Sequence, residues 1–454
     1  MTIVEQLAQF VVQADYEMLS QEARRELKAR VLDSLACAIG ALEGEPIVYI
    51  RRHTEEFGGA PLCTMIGGGK TSPDRAAFYN GALVRYLDYN DSFLAPGETC
   101  HPSDNLGAVM AASEYADRSG RDLLTALAVA YQVQCRLSEV APVRHKGFDH
   151  TTQGTYAAGA GVAKALGLDA ERTAHAIALA ATPNNALRVT RTGRLSHWKG
   201  LAYPHTGFVA THAAFLARRG ITGPLEVFEG NKGFMDAIAG HFQIDWSRED
   251  LELVRKTIIK KYNAEIHSQS AIEGLLELQA LHGFRAEDVE RIDLETFQVA
   301  FMIIGGGEEG DKHIVQTKEE ADHSLPYMLA VALLDGDVGP PQYEPERIVR
   351  DDVQSLLRRV HVRPVDEFSA RFPQEMPARL RVTLKDGRVL QIEKRDYEGF
   401  HTRPMPWERV LAKFERLAGP YTDASLRREI AACVQNLENV PVRELTALLA
   451  RAGK

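Results

Sequence analysis

The chain has 454 residues, 45% of them apolar and 25% charged; at about 100 to 200 residues per domain this allows two or three domains with proper cores. That composition excludes a disordered chain, a collagen and a disulfide-stapled miniprotein. With 53 Lys+Arg against 62 Asp+Glu the formal charge is −9, a field that repels phosphate backbones and anionic membrane surfaces, so no nucleic acid and no membrane is expected as a partner. An anionic small substrate is still allowed, because a local cluster of Lys, Arg and His in a cleft can reverse the long-range field.

The five cysteines (Cys37, Cys63, Cys100, Cys135, Cys433) are widely spaced without a C-x-x-C pair, which reads as reduced, buried thiols in a cytoplasmic protein and not as a disulfide framework or a cysteine-ligated metal site. The N-terminal MTIVEQLAQFVVQADYEML mixes acidic with apolar residues, unlike a signal peptide. Nor does any run of about 18 uncharged apolar residues suggest a membrane span.

In chain order, residues 3–253 read as helical almost throughout, with apolar residues three and four apart and no convincing strand. Ser72-Pro73-Asp74 opens one helix, Ser103 precedes another over 105–115, and Ser119-Gly120 separates that from the next. Ala- and Gly-rich segments such as TYAAGAGVAKALGL let helices approach closely, as in a large bundle with buried central helices. The texture changes near Lys256. A helix SQSAIEGLLELQALHG is followed by a strand VERIDLETFQV, the helix HSLPYMLAVALLDG, a strand RVHVR and the hairpin RLRVTLKDGRVLQIEKR, whose Asp386-Gly387 reads as a two-residue turn. From Met405 the pattern is helical again. The reading is mainly α: a helical domain built from both termini (1–256 and 403–454) with an inserted α+β lid (257–402) that carries a small, mainly antiparallel sheet.

Two glycine-rich strings, MIGGGKTS and GGGEEGDK, lack the strand-loop-helix setting of a phosphate-binding loop and read as loops. The densest chemistry lies in LDYNDSFLAPGETCHPSDN at 87–105. Asp88, Asp91 and Ser92 end one helix and His101 opens the next, which brings a carboxylate and an imidazole to facing helix ends, a setting for anion binding and proton transfer. For Asp91 and Ser103 the plainer reading, a turn residue and a helix cap, is preferred. His150 follows in RHKGFDHTTQGTY, where a lone loop histidine would more often be structural. A basic run, Arg188, Arg191, Arg194, His197 and Lys199, is either an exposed face or an anion pocket. His267 opens a helix in KKYNAEIHSQ, and EEADHSLPYMLA is read as placing His323 and Tyr327 on one helical face, His323 mainly for packing. Without H-E-x-x-H, a close His/Cys set or a calcium-type loop, the chemistry is expected to be metal-free acid–base catalysis.

Taken together, VLDSLACAIGAL, the LDYND and HPSDN block, GFDHTTQGTYAAGAGVAKALGL, RTGRLSHWKG, TGPLEVFEGNKGF, KKYNAEIHSQSAIE, ADHSLPYMLAVALLDG and RDYEGFHTRPM make the chain similar, end to end, to the MmgE/PrpD family. That family contains 2-methylcitrate dehydratase, citrate dehydratase and cis-aconitate decarboxylase. The resemblance implies a two-domain homodimer with a cleft active site. Its site positions carry over to Asp88, Ser92 (where threonine is common), His101, His150, Lys199, His267 and Tyr327.

The expected function is a cofactor-free hydro-lyase acting on a di- or tricarboxylate, first of all 2-methylcitrate to 2-methylaconitate. His101 and His150 form the proton-transfer pair, Lys199 with Arg188 clamps a carboxylate, Asp88 orients an imidazole, and His267 and Tyr327 complete the site. Decarboxylation of cis-aconitate and isomerisation or epimerisation of a related acid are the alternatives, as is a non-catalytic dimer that binds carboxylates.

Overall fold

A computed structural model describes residues 1–193, 195–307 and 310–453. The chain divides into two compact units: Met1–Arg191, His197–Ile258 and Pro406–Lys454 form the first, and Thr192–Ser196 with Ile259–Met405 the second. The five residues Thr192–Ser196 depart from the single uninterrupted insertion read from the sequence.

The first unit is a helical bundle. Helix Gln21–Gly40, capped by the Ser20 side chain on the Ala23 N–H, packs against Trp407–Ala418 from the other end of the sequence. Lys413 fastens the two, its Nζ lying 2.6 Å from Asp33 Oδ1 and donating to the Tyr89 carbonyl at 2.8 Å. Helices Pro73–Tyr86, Leu106–Tyr115, Gly120–Val140, Thr151–Leu166 and Trp198–Arg218 make the centre. Small residues set their spacing: a Cβ on Gly107 would sit 2.5 Å from the Gly81 amide nitrogen, so these two helices meet backbone to backbone.

This unit also holds two short hairpins, contrary to the strand-free reading. β1 (Cys63–Thr64) pairs with β2 (Lys70–Thr71) around Gly67, Gly68 and Gly69, all at positive φ, so MIGGGKTS is a hairpin loop. β3 (Phe93–Ala95) pairs with β4 (Glu98–Cys100) across Pro96 and Gly97, and Gly97 at φ +82° takes a backbone conformation that favours glycine.

In the second unit β5 (Val289–Thr296), β6 (Val360–Pro364), β7 (Ala378–Leu384) and β8 (Val389–Lys394) form one sheet in the order β6-β5-β7-β8. β5 runs parallel to β6 and antiparallel to β7, and β7 is antiparallel to β8, so the sheet is mainly antiparallel, as expected, with one parallel pairing. Alternate residues of β5 and β7, among them Ile292, Leu294, Leu380 and Val382, are buried with helices Gln269–His282 and Leu325–Asp335 in one core. The β7–β8 turn is longer than the two residues read from Asp386-Gly387. Leu384 bonds Arg388 across Lys385, Asp386 and Gly387, with Gly387 at φ +87° in the left-handed position that closes a three-residue loop.

Candidate active site

The site in the first unit begins where helix Pro73–Tyr86 stops. Asp88 stands at φ +52°, a left-handed conformation that Asp tolerates better than most residues. Its carboxylate is held by Arg85 Nη1 at 2.6 Å and by Lys199 Nζ at 3.3 Å, all three side chains being nearly inaccessible. Asp88 is therefore paired with Arg85 and Lys199. Two residues on, Asn90 donates to Ser103 Oγ and Asp104 Oδ1, each at 2.8 Å. Burial pushes the Asp104 carboxyl up to about 7, against the pull of Arg85.

Asp91 and Ser103 do more than the turn-and-cap reading allowed. The Asp91 carboxylate accepts the Ser103 N–H at 3.0 Å and the Tyr131 hydroxyl at 2.7 Å, so the residue ties the 88–92 segment to the turn Pro102–Asn105. Ser103 makes no cap bond of its own. The hairpin then delivers the imidazole: Phe93 faces Cys100 in register, so Ser92 and His101 are the next residues outward. His101 Nδ1 lies 2.8 Å from the Asp91 carbonyl oxygen and 3.0 Å from Ser92 Oγ. A carbonyl only accepts, so the Nδ1 proton is fixed there and Nε2 is the nitrogen left for proton transfer. The Ser92 backbone is pinned in turn by a pair of bonds with Ile258, 2.9 and 2.8 Å long.

The His101 ring meets the His150 ring edge-on with centroids 5.5 Å apart, so the two histidines singled out from the sequence are neighbours. His150 Nδ1 lies 3.3 Å from Asp149 Oδ1, and its buried Nε2 has no hydrogen-bond partner. Burial drives the imidazole down to about 3, Asp149 opposes this, and Arg191, Arg85 and Arg188 add to it, so the ring is neutral at physiological pH. For Asp149 burial works upward but is outweighed by Arg191, His150 and Arg188, which keep the carboxyl below the ordinary range. Arg191 Nε bonds Asp149 Oδ2 at 2.7 Å, whereas Arg188 Nη1 stands off at 3.9 Å. Tyr203 stacks over His150 with centroids 6.3 Å apart and donates its hydroxyl to Asn105 Oδ1 or Gln134 Oε1, each at 3.0 Å. Gly154 makes this possible, since a Cβ there would fall 2.4 Å from the Tyr203 ring.

Ser92, His101, His150, Arg188, Lys199 and Asp88 are thus joined through a few side chains. Sequence reasoning missed Arg85, Asp149, Tyr203 and the Asp149 clasp of Arg191; the Asp-His dipeptide at 149 and 150 was the available signal. His197 stands apart, half exposed and 3.8 Å from Glu45, and Arg194 lies outside the described residues, as do Glu308 and Glu309 of GGGEEGDK.

In the second unit Glu265 clasps His267 twice, accepting its backbone N–H and standing against its Nδ1, both at 2.7 Å. Phe297 and Phe372 rings flank the imidazole at 5.6 Å, and its buried Nε2 has no partner. Although burial works to raise Glu265, His267, His323 and Lys260 together hold it down at about 2. His323 is not on the helix with Tyr327. Ser324 caps that helix, so His323 lies just before it, its Nδ1 2.7 Å from Asp322 Oδ1. Tyr327 is fully buried in the core of this unit and donates its hydroxyl to the Gln342 carbonyl.

All five cysteines are buried and none forms a disulfide among the described residues. Burial raises the thiols of Cys63 to about 12 and of Cys433 to about 11, and lifts Cys135 far up, which disfavours the thiolate a metal needs.

Two adjacent imidazoles, each with Nδ1 set against an oxygen, next to buried cations, define a site for moving protons on an anionic molecule. The MmgE/PrpD N-terminal domain matches residues 5–247 and the MmgE/PrpD C-terminal domain residues 262–439. The chain belongs to the MmgE/PrpD family. It is 27% identical to a mitochondrial 2-methylcitrate dehydratase of Yarrowia lipolytica, an alignment covering 98% of this chain and 89% of that protein. It is 29% identical to the 2-methylcitrate dehydratase of Cupriavidus necator over 94% and 93% of the two chains. Similarity extends to an alkylcitrate dehydratase of a fungal species, 27% identical over 97% and 92%.

Proposed function

We propose that the protein is a hydro-lyase that dehydrates a citrate-like tricarboxylate, with 2-methylcitrate to 2-methylaconitate as the reaction. The observation that carries this is a neutral imidazole beside a carboxylate, His150, packed edge-on to a second one, His101, among the buried cations Arg85, Arg191 and Lys199 and the half-buried Arg188. Relatives named as dehydratases and aligned over nearly the whole chain support the same reading.

Dehydration removes a proton next to a carboxylate and expels a tertiary hydroxyl. His150 Nε2, with Nδ1–H directed at Asp149, carries the lone pair that accepts the carbon-bound proton. His101, entering the step as the imidazolium, gives its Nε2 proton to the departing hydroxyl, which leaves as water; the proton taken up by His150 is then released to restore the pair for the next turnover. Lys199 and Arg188 neutralise the substrate carboxylates and the enediolate that develops, with Asp88 and Asp149 fixing their positions. The Glu265–His267 pair is the second unit's proton-transfer group, whereas the Tyr327 hydroxyl, committed to a backbone carbonyl, serves packing. Protonation of the leaving group does the work that a Lewis acid does in metal-dependent dehydratases. The reading includes a cytoplasmic homodimer and no cofactor.

The test is an assay of the purified protein with citrate, 2-methylcitrate and cis-aconitate, following alkene absorbance and carbon dioxide release. Alkene formation from 2-methylcitrate without carbon dioxide is expected. Carbon dioxide from cis-aconitate would replace dehydration by decarboxylation, and tight binding of all three without turnover would make the protein a carboxylate binder.

A further inference from the structure

A carboxylate beside a buried imidazole ordinarily draws a second proton onto the ring, because an opposite charge within a few ångströms favours the charged form. In the Asp149–His150 pair burial works against this, and a cation on the carboxylate works in the same direction. The carboxylate is claimed first by Arg191, whose Nε reaches Oδ2 at 2.7 Å and whose Nη2 reaches Oδ1 at 3.4 Å, while His150 Nδ1 is 3.3 Å from the same Oδ1. The guanidinium's remaining nitrogen, Nη1, donates to the Lys199 carbonyl at 3.0 Å, which anchors the fork to the first turn of helix Trp198–Arg218. Arg191 is itself buried, 7% exposed, and a guanidinium never gives up its charge in a protein.

We propose that Arg191 is a positioning residue that keeps His150 neutral: it cancels the Asp149 charge while leaving that carboxylate in place to orient the ring. The groups facing His150 agree. Asp149 is its neighbour in sequence, and Arg188 and Arg85 come from two other elements, both cations that oppose a second proton. His101 meets the ring edge and Tyr203 covers its face, neither supplying negative charge. Asp149 is the group that most favours the imidazolium, and Arg191 is the cation closest to it. A lysine could not do the same, since one nitrogen cannot span both carboxylate oxygens and the Lys199 carbonyl.

The experiment uses full-length resting enzyme with nitrogen-15 histidine, the His150 ring signals being found by their loss in His150→Gln. In the wild type His150 should remain a neutral imidazole from pH 8 to about 4.5. In Arg191→Met its midpoint should rise by about 1 to 3 units from about 3, so that the ring takes up protons before the pH reaches about 4.5, and Arg191→Lys should move the same way by less. Adding Asp149→Asn to Arg191→Met should restore neutrality. If Arg191→Met is insoluble, the ring midpoint in Arg191→Lys is decisive by itself. A ring midpoint unmoved in these variants, or a wild-type ring that already titrates above about pH 4.5, would overturn the proposal. Where turnover is measurable, the acid limb of kcat/KM should rise with the ring midpoint. That arm alone rests on His150 being the base: a shifted ring with an unmoved limb removes the base and leaves Arg191's role standing.

Discussion

Asp149–His150 in the first unit and Glu265–His267 in the second each set a buried carboxylate against Nδ1 and leave Nε2 without a partner. They differ in what else the carboxylate holds. Asp149 is gripped by a guanidinium, with a second one 3.9 Å away. Glu265 spends both oxygens on His267, one on the ring and one on the backbone N–H, with Lys260 and His323 acting through their fields. The same dyad geometry thus comes with different cations beyond the carboxylate, and a sequence motif that names only the histidine leaves that part of the chemistry out.

The strongest way to break this comparison is to remove the imidazoles. His101→Ala and His150→Ala should each lower turnover about 100- to 10,000-fold, the range of a general acid or base, with the folded protein recovered in normal yield. His323→Ala, whose ring is paired with Asp322 just before the Leu325–Asp335 helix, is the comparison variant and should retain most activity. Steady-state kinetics on soluble His101→Ala with wild-type turnover would remove the centre of the mechanism.

Much of the first unit's site was legible because its residues sit where helices stop. Asp88, His101 and Lys199 follow or open helical segments, and polar residues there break an apolar pattern. Arg191–Asp149 was not legible as a pair: 42 residues separate the partners, and a basic run looks the same whether it faces solvent or a buried acid. The β3–β4 hairpin escaped because three-residue strands are too short to show alternation, although Pro96-Gly97 marked the turn. β5, β7 and β8 showed their period-two pattern, but the parallel pairing of β5 with β6 depends on distant residues and cannot be read locally. His323 was misplaced because Ser324, two before Pro326, takes the cap and starts the helix at Leu325, two residues after His323.

The comparison also predicts unequal stability losses. Asp149→Asn strips a buried guanidinium of its counter-charge, and breaking such a pair costs about 3 to 5 kcal/mol. Glu265→Gln breaks no bond to a guanidinium and removes a single charge-assisted hydrogen bond to a ring, a loss of about 1.5 to 3 kcal/mol. Urea unfolding of the two variants should rank them in that order; equal losses would mean that Arg191 is no more dependent on Asp149 than His267 is on Glu265.

The smallest effect is on the pH dependence of stability. His150 titrates near its ordinary 6.5 once unfolded but only at about 3 when folded, so between those values the unfolded chain binds the extra proton. Its contribution is complete above pH 6.5 and is lost as the pH falls toward 3, at up to about 1.4 kcal/mol per pH unit. Asp104 has the opposite sign. Its carboxyl is raised from 3.8 to about 7, so the folded chain holds the proton across that interval and stability from this group grows as pH falls. Taking the difference between variant and wild type cancels every group common to both. Between pH 6.5 and 5, where ordinary carboxylates remain ionised, His150→Gln should therefore lose less stability on acidification than the wild type, and Asp104→Asn should lose more. Denaturant titrations at three or four pH values measure both slopes. Parallel curves for His150→Gln and the wild type would mean that the ring is protonated in the folded protein, and the contrast between an arginine-shared and an unshared dyad would go with it.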